Sequence, residues 1–207
     1  LKEYRQSVIT EAVTKGLDPN VEMKDSGVSW IGNIPANWIT LPAKYCVSIS
    51  HGSDPKTTGD IPVYGSGNDI VKTCGEFKEG PCVLIGRKGS IDSPKYIEGR
   101  YWNVDTAFDV KPKGSFNLRY YYYQSICFDY KVLIKQTTLP SMTSSQYNNM
   151  FIAKPPIDEQ QKIASYLDFK CSQIDEAIRR QESIIDKLKA YRQSLIYEVV
   201  TGKREVV

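Results

Sequence analysis

The chain has 207 residues, of which 41% are hydrophobic and 25% are charged, so it is long enough for one good core and too apolar for a disordered chain. The formal net charge is only +3, but residues 39–156 carry fourteen basic and ten acidic side chains, while residues 1–38 carry four and five and residues 157–207 carry nine of each. The positive excess lies in the middle segment, which weakly favours a polyanion as partner.

The cysteines are odd in number, widely spaced and without a C-x-x-C pair, which predicts reduced, mostly buried thiols. A metal site built from them and the single histidine is excluded by their spacing. These residues are Cys46, Cys74, Cys82, Cys127, Cys171 and His51. No apolar run reaches the length of a membrane span, and no signal segment opens the chain. We therefore expect a cytosolic protein without a metal ion or cofactor.

The two ends of the chain repeat one another. LKEYRQSVITEAVTKG at 1–16 aligns with LKAYRQSLIYEVVTGK at 188–203, and ten of the sixteen positions are identical. A repeat of this kind predicts one full period of a two-period protein, which begins in the last turns of a preceding helix. Residues 1–14 are therefore predicted to be helical, and Gly16 occupies the position after a helix end that favours glycine.

Residues 17–38 are rich in Asp, Asn, Gly and Pro and indicate a connector, but Trp30 and Trp38 are anchors that indicate an ordered one. From residue 39 to about 113, short β-branched or aromatic runs broken by Gly and Pro predict strands. The predicted strands are AKYCVSI at 43–49, IPVYG at 61–65, DIVKT at 69–73, PCVLIG at 81–86, KYI at 95–97 and NVDTAFDVK at 103–111.

The segment NLRYYYYQSICFDYKVLIK at 117–135 is predicted to be helical for much of its length, with Asn117 as its N-cap. Four consecutive tyrosines also suit a strand, so that alternative stays open. The following segment, QTTLPSMTSSQYNNM at 136–150, is predicted to be a polar loop with one short helical turn.

A long helix is predicted over 157–201. Pro155 and Pro156 stop the preceding element, and Asp158 with Gln161 forms a capping-box pattern. Apolar residues then follow a heptad spacing, which indicates a coiled-coil seam. Two polar interruptions, Gln181 and Arg192, are of the kind that set register or partner identity. The seam comprises Ala164, Leu167, Cys171, Ile174, Ile178, Gln181, Ile185, Leu188, Arg192, Leu195 and Val199.

A helix of this length, roughly 60 Å at 1.5 Å per residue, would extend beyond its own domain, so much of the seam needs a partner and self-association is expected. The predicted fold class is α+β. A mixed α/β domain over 39–156 follows the short N-terminal helix (1–16) and the connector (17–38), and the long helix ends in a tail over 202–207.

Enzyme motifs are missing or degenerate. The only segments that could be compared with methyltransferase motifs are GSGN at 65–68 and AKPPI at 153–157, and both are degenerate. The sequence also contains no P-loop. The nearest catalytic set is Asp105, Asp109 and Lys111, which faintly resembles the acidic-x-Lys ending of metal-dependent nucleases. The two acids are close in sequence, so we interpret them as a turn residue and a solvated strand residue.

Nucleic-acid recognition requires basic and amide side chains on loops beside small residues. GRKGS at 86–90 presents Arg87 and Lys88 between glycines, and Arg87 could fork onto a guanine edge. YGSGN at 64–68, KQTTLPSMTSSQ at 135–146 and HGSDPKTTGD at 51–60 supply further polar groups. The predicted DNA contacts are Lys56, Tyr64, Ser66, Asn68, Arg87, Lys88, Ser90, Lys135, Gln136, Thr137, Thr138 and Ser141.

Six motifs follow one another in a recognisable order: SWIGNIPANW at 29–38, IPVYGSGN at 61–68, VLIGRKGSI at 83–91, YWNVDTAF at 101–108, KPPIDEQQKIASYLD at 154–168 and YRQSLIYEVVTGK at 191–203. With the heptad helix between the last two, this order resembles the specificity subunit of type I restriction-modification enzymes. The resemblance covers essentially the whole chain. Its most specific parts are IGNIPANW and PPIDEQQKIASYLD.

The resemblance implies that the mixed α/β domain is a target-recognition domain for one half of a bipartite double-stranded DNA target. Two long helices would pair antiparallel as a ruler and dock the modification (methyltransferase) subunits, which hold S-adenosylmethionine. Together with restriction subunits they would form an ATP-dependent, site-specific endonuclease in which this chain is not itself the catalyst.

The usual subunit has two recognition domains and this chain has one. It is therefore either a cut-out half or a natural half-subunit that dimerises. Two other functions stay open: a metal-dependent nuclease domain, and a coiled-coil adaptor whose domain binds protein or carbohydrate.

Overall fold

The computed structural model describes residues 1–130 and 140–203. The helices of this part are α1 Lys2–Lys15, α2 Leu118–Ile126, α3 Ser144–Asn149 and α4 Ile157–Val200. The strands are β1 Met23–Asp25, β2 Asn33–Pro35, β3 Ile39–Pro42, β4 Val47–His51, β5 Ile61–Tyr64, β6 Ile70–Cys74, β7 Lys78–Glu79, β8 Cys82–Gly86, β9 Lys95–Ile97, β10 Arg100–Asn103, β11 Ala107–Pro112 and β12 Phe151–Lys154. None of these helices has the length and apolar character needed to cross a membrane.

Two four-stranded sheets form the domain. The first is antiparallel with the order β4-β11-β8-β9, and the second has the order β6-β5-β10-β7 with β5 and β10 parallel. The smaller pairs β1-β2 and β12-β3 complete the strand pairing. Every residue of β8 is buried, because this strand lies inside its sheet with both faces covered. The architecture is the mixed α/β domain with a short N-terminal and a long C-terminal helix that the sequence predicted.

The tyrosine-rich segment is a helix at the centre of the core. Asn117 caps α2 as predicted, because its side-chain oxygen accepts a hydrogen bond from the amide of Tyr120 at 2.9 Å. Tyr120, Tyr121 and Tyr123 are buried, since α2 contacts the first sheet on one side and α1 and α4 on the other. Residues 131–135 of the predicted helix lie outside the described residues. The short helical turn predicted within 136–150 is α3.

The connector is folded. Trp38 is fully buried and its indole N–H donates to the Glu159 carboxylate at 2.9 Å, while Trp30 packs edge-on against Phe128 with ring centroids 5.4 Å apart. These contacts attach the connector to both the core and the start of α4.

The cysteines are free thiols, as predicted. Cys127 is half-buried, and this burial raises the pKa of its thiol to about 11. The other four, Cys46, Cys74, Cys82 and Cys171, are buried.

Two of the predicted strands are wrong in detail. AKYCVSI is a 3-10 turn over Ala43–Tyr45 followed by β4. NVDTAFDVK is not one strand, because the chain leaves the second sheet at the end of β10 and enters the first sheet with β11. The side chain of Asn103 closes the turn between them by donating to the carbonyl of Ala107 at 2.8 Å.

The predicted capping box of α4 is also wrong. The helix begins directly after Pro156, which is its N-cap, and no side chain caps it. The N-cap is Pro156 and not Asp158, so Asp158 lies inside the first turn and cannot pair with Gln161 as a cap. An acidic side chain in the first turn still suits the helix dipole, and Glu159 there binds Trp38.

Helix α1 runs antiparallel along the first half of α4. The Arg5 Nε atom lies 2.9 Å from an Asp175 carboxylate oxygen, and Lys2 Nζ lies 3.5 Å from Glu182. Residue numbers therefore rise along α1 as they fall along α4. Gly16 follows α1 at φ 77°, the left-handed conformation that favours glycine.

The apolar stripe of α4 is divided between two environments. Leu167, Cys171 and Ile174 were predicted to contact an assembly partner, but they are buried in the chain's own core, where α4 packs on α1 and α2. Beyond the half-buried Ile178 the stripe is open. We call residues 178–200 the distal segment. Its remaining seam residues are exposed apart from the half-buried Leu195, and they are Gln181, Ile185, Leu188, Arg192, Leu195 and Val199.

Candidate nucleic-acid interface

The loops after β5 and β8 are joined through Thr106, in the turn between β10 and β11. The amides of Arg87 and Lys88 both donate to the Thr106 carbonyl, at 2.8 and 3.3 Å. The amide of Ser66 donates to the Thr106 hydroxyl at 3.4 Å. Two polar loops that are distant in sequence therefore lie side by side at one end of the first sheet.

The segment ahead of α3 joins them. Gly89 donates its amide to the carbonyl of Pro140 at 2.9 Å, and Lys88 pairs with Ser141 in an isolated antiparallel bridge. Three of the four polar segments predicted from the sequence thus form one continuous surface. We call it the loop surface, and it comprises residues 65–69, 86–90, 104–106 and 140–143.

A lysine that sequence analysis missed lies beneath this surface. Lys95 on β9 is half-buried, and its ammonium group donates to the carbonyls of Gly65 and Ser66 at 2.9 and 3.2 Å. Burial lowers the pKa of Lys95 because the charged form is desolvated. A single lysine in a predicted strand carries no signal of this role, since only the packing of β9 beside the end of β5 creates it.

The basic side chains of the loop surface differ in their surroundings. Arg87 is held by Asp105, since Arg87 Nη1 lies 3.3 Å from the carboxylate and 3.2 Å from the main-chain carbonyl of that residue. Lys88 is exposed, and within the described part of the chain its side chain has no ion pair or hydrogen bond. Ser90 and Ser141 are exposed beside it.

The other predicted contacts are dispersed. Asn68 is exposed in the loop surface, whereas Tyr64 is half-buried against the small apolar cluster under β8 and β10. Lys56 lies apart, because the carbonyl of Thr57 accepts from the amide of Gly75 at the far end of the β5-β6 hairpin. The remaining predicted contacts lie outside the described residues: Lys135, Gln136, Thr137 and Thr138.

The loop that carries Lys56 is held by Glu76. This carboxylate accepts hydrogen bonds from the amide of Lys56 at 2.7 Å and from the hydroxyl and amide of Thr57 at 2.5 and 3.1 Å. The hydroxyl of Thr57 is the leading cause that lowers the pKa of Glu76 from 4.5 to about 2. Sequence analysis did not identify Glu76, because its partners precede it by about twenty residues.

We expect this loop to loosen as the pH falls from about 4.5 towards 2. A carboxyl group whose pKa is lowered on folding stabilises the fold above its unfolded pKa, and this contribution disappears as the group protonates in the folded state. Amide hydrogen exchange at Lys56 and Thr57 measures the change, with the β8 amides as a control for global unfolding. In the Glu76→Gln variant, the amides of Lys56 and Thr57 should be weakly protected from exchange already at neutral pH, and this protection should not fall further at acidic pH. If the protection of these amides in the unmodified chain stays constant across this pH range, Glu76 does not hold the loop.

The three residues of the nuclease alternative do not form one site. Asp105 pairs with Arg87, Asp109 lies 3.3 Å from Lys78 Nζ, and Lys111 donates to main-chain carbonyls of the β7–β8 turn. Asp109 is only 4% exposed, so the prediction of a solvated strand residue is wrong. Among the described residues, no group of three or more His, Cys, Asp or Glu side chains is positioned to hold a metal ion.

Comparison with known proteins gives consistent matches. A family model described as the type I restriction modification DNA specificity domain matches residues 46–190, which is more than half of the chain. The type I restriction enzyme EcoBI specificity subunit of Escherichia coli is 21% identical over 206 residues, which cover 88% of this chain and 42% of that protein. The chain spans less than half of the length of the curated relatives it matches.

Solved structures share the fold. One, described as the structural basis of complex assembly and conformational transition of the type I R-M system, superposes with a TM-score of 0.73 at 18% identity and covers 95% of this chain and 50% of the other. The HsdS subunit from Thermoanaerobacter tengcongensis superposes with a TM-score of 0.65 at 17% identity, again over 95% and 50%.

Proposed function

Since the chain belongs to the family of type I restriction-modification DNA specificity domains, we propose that its loop surface binds double-stranded DNA and reads one half of a bipartite target. The observation that carries this proposal is that two polar loops bind to Thr106 and that the segment ahead of α3 binds to one of them. Exposed basic and hydroxyl groups are held there on a hydrogen-bonded main chain, which suits both phosphate positioning and base reading.

We further propose that this chain recognises the DNA target and that other subunits catalyse the reactions on it. Modification subunits with bound S-adenosylmethionine would methylate the target, and restriction subunits would cleave unmethylated DNA at the expense of ATP. The complex would work in the cytoplasm. The separate partners of Asp105, Asp109 and Lys111 support this assignment over a nuclease within the chain.

The distal segment is proposed to mediate assembly. Its apolar residues are open, with Ile185 47% and Leu188 60% exposed, so a second long helix could cover them. That helix would come from the other half of a longer subunit or from a second copy of this chain. The antiparallel packing of α1 on α4 supports an antiparallel pair, because α1 repeats the sequence of 188–201.

Selection on randomised duplexes tests the DNA-recognition proposal directly. The full chain, mixed with its modification subunits, should enrich one short motif, and its affinity should fall as salt rises because phosphate contacts release counterions. A pool without sequence enrichment would contradict DNA recognition. Absence of DNA binding by a chain that still self-associates would instead support the coiled-coil adaptor.

A further inference from the structure

The guanidinium group of Arg87 has one edge in use and one edge free. Nη1 lies within 3.3 Å of two oxygens of Asp105, the carboxylate Oδ2 and the main-chain carbonyl, and donates to both. In the described part of the chain Nε and Nη2 have no hydrogen-bond partner. One N–H group of each atom lies on the adjacent edge of the planar fork, and these two N–H groups point in parallel.

The backbone beneath this side chain is fixed as well. The amide of Arg87 donates to Thr106 at 2.8 Å, and its carbonyl accepts from the amide of Met142 at 2.9 Å. Arg87 is therefore held by its main chain on two sides and by Asp105 at its tip, while its side chain stays 32% exposed. Such a group is oriented before it meets a ligand, so little rotamer entropy is lost on binding.

We propose that Asp105 is a specificity-determining positioning residue that aims the free edge of Arg87 at a guanine of the half-site. This inference rests on the proposed function. Two parallel N–H donors match the O6 and N7 acceptors of guanine in the major groove, and no other base presents two acceptors there. Asp105 is not itself a base contact in this scheme; it acts through Arg87.

A phosphate contact would have different requirements. A phosphate beside Arg87 would also lie near the Asp105 carboxylate, which is 53% exposed and repels it, whereas guanine is neutral. Lys88 has the opposite character, because it is exposed and no carboxylate pairs with it. Arg87 therefore reads sequence, and Lys88 provides attraction that is independent of sequence.

The test is selection and binding by the full chain with its modification subunits, using Arg87→Ala, Asp105→Ala and Lys88→Ala. The unmodified chain should prefer guanine over the other bases at one position by about tenfold or more in affinity. Arg87→Ala should abolish this preference and leave the preferences at the other positions of the motif unchanged. Asp105→Ala should weaken preference at that same position while raising affinity for unrelated DNA, because a negative charge is removed. Lys88→Ala should weaken all sequences equally and reduce the salt slope by about one.

A matched control is the exposed pair of Arg100 and Glu79, 3.1 Å apart, at the other end of β10. Arg100→Ala and Glu79→Ala make the same charge changes in the same domain away from the loop surface, and both should leave the base preferences unchanged. Thermal melting of all variants separates lost recognition from lost folding.

The outcomes are distinguishable. If the unmodified chain enriches no motif, DNA recognition itself fails. If the unmodified chain enriches a motif but Arg87→Ala lowers the affinity for every sequence alike, Arg87 is a phosphate contact and the guanine inference is overturned. If Asp105→Ala keeps the full preference at the Arg87 position, Asp105 has no positioning role.

Discussion

Replacement of Asp109 by alanine is expected to lower the free energy of unfolding by about 3 kcal/mol, although it removes no candidate DNA contact. Asp109 lies in the middle of β11 and is 4% exposed, and its carboxylate is 3.3 Å from the ammonium group of Lys78. Lys78 also donates to the side chain of Asn103 at 2.8 Å, so the pair connects β7 and β10 of the second sheet to β11 of the first.

The size of the effect follows from what remains after the substitution. Loss of the carboxylate leaves the ammonium group of Lys78 largely buried, with 25% of its side chain exposed and without its charged partner. Breaking a buried pair by removing one partner costs about 3–5 kcal/mol, and the partial exposure of Lys78 favours the lower end. For a chain of this size, the midpoint of thermal unfolding should fall by roughly 6 °C or more.

Thermal and denaturant unfolding measure this prediction, and Asp105→Ala is the matched control. Asp105 is four residues earlier and 53% exposed, so its loss should change stability by less than about 0.5 kcal/mol. The double variant Lys78→Met with Asp109→Leu should recover most of the stability, because no unpaired charge stays buried. An Asp109→Ala chain as stable as the original would show that the pair contributes nothing.

This result also determines how DNA-binding data should be interpreted. An Asp109→Ala chain that fails to bind DNA above its lowered melting temperature has lost its fold, not a catalytic carboxylate. Binding must therefore be compared at a temperature where both chains are folded.

A charge placed on the apolar stripe of α4 should have opposite consequences in its two halves. Leu167→Asp should unfold the domain, because Leu167 is fully buried between α4 and the core, and an unpaired carboxylate there costs several kcal/mol. Leu188→Asp should leave stability within about 0.5 kcal/mol, because Leu188 is 60% exposed. It should nevertheless abolish assembly through the distal segment, since the charge would face an apolar partner.

Circular dichroism melting and light scattering, with and without the modification subunits, measure both effects. Gln193→Asp is the control, because it adds the same charge to the distal segment away from the apolar stripe and should leave fold and assembly unchanged. If Leu188→Asp assembles like the unmodified chain, the distal segment is not the assembly surface.

The sequence predicted those parts of the fold that depend on neighbouring residues. The N-cap at Asn117, the glycine after α1 and the length of α4 are set by contacts within one turn or by a heptad period. Arg87 and Lys88 were also recognisable, because GRKGS keeps its basic side chains and flexible glycines within five residues. The strand β10 was missed, since its partners β5 and β7 are well separated from it in sequence and the strand itself is short.

By itself, then, the sequence determined the helices, part of the strands, the repeat at the two ends, the family resemblance and the loops with suitable chemistry. Only the tertiary structure decided how these are used. It joined two loops through Thr106, buried Asp109 against Lys78, paired Arg87 with Asp105 and covered one half of the α4 stripe with α1 and α2. Each of these outcomes depends on residues far apart in the chain, whose proximity is set by which buried faces pack together and not by any local spacing.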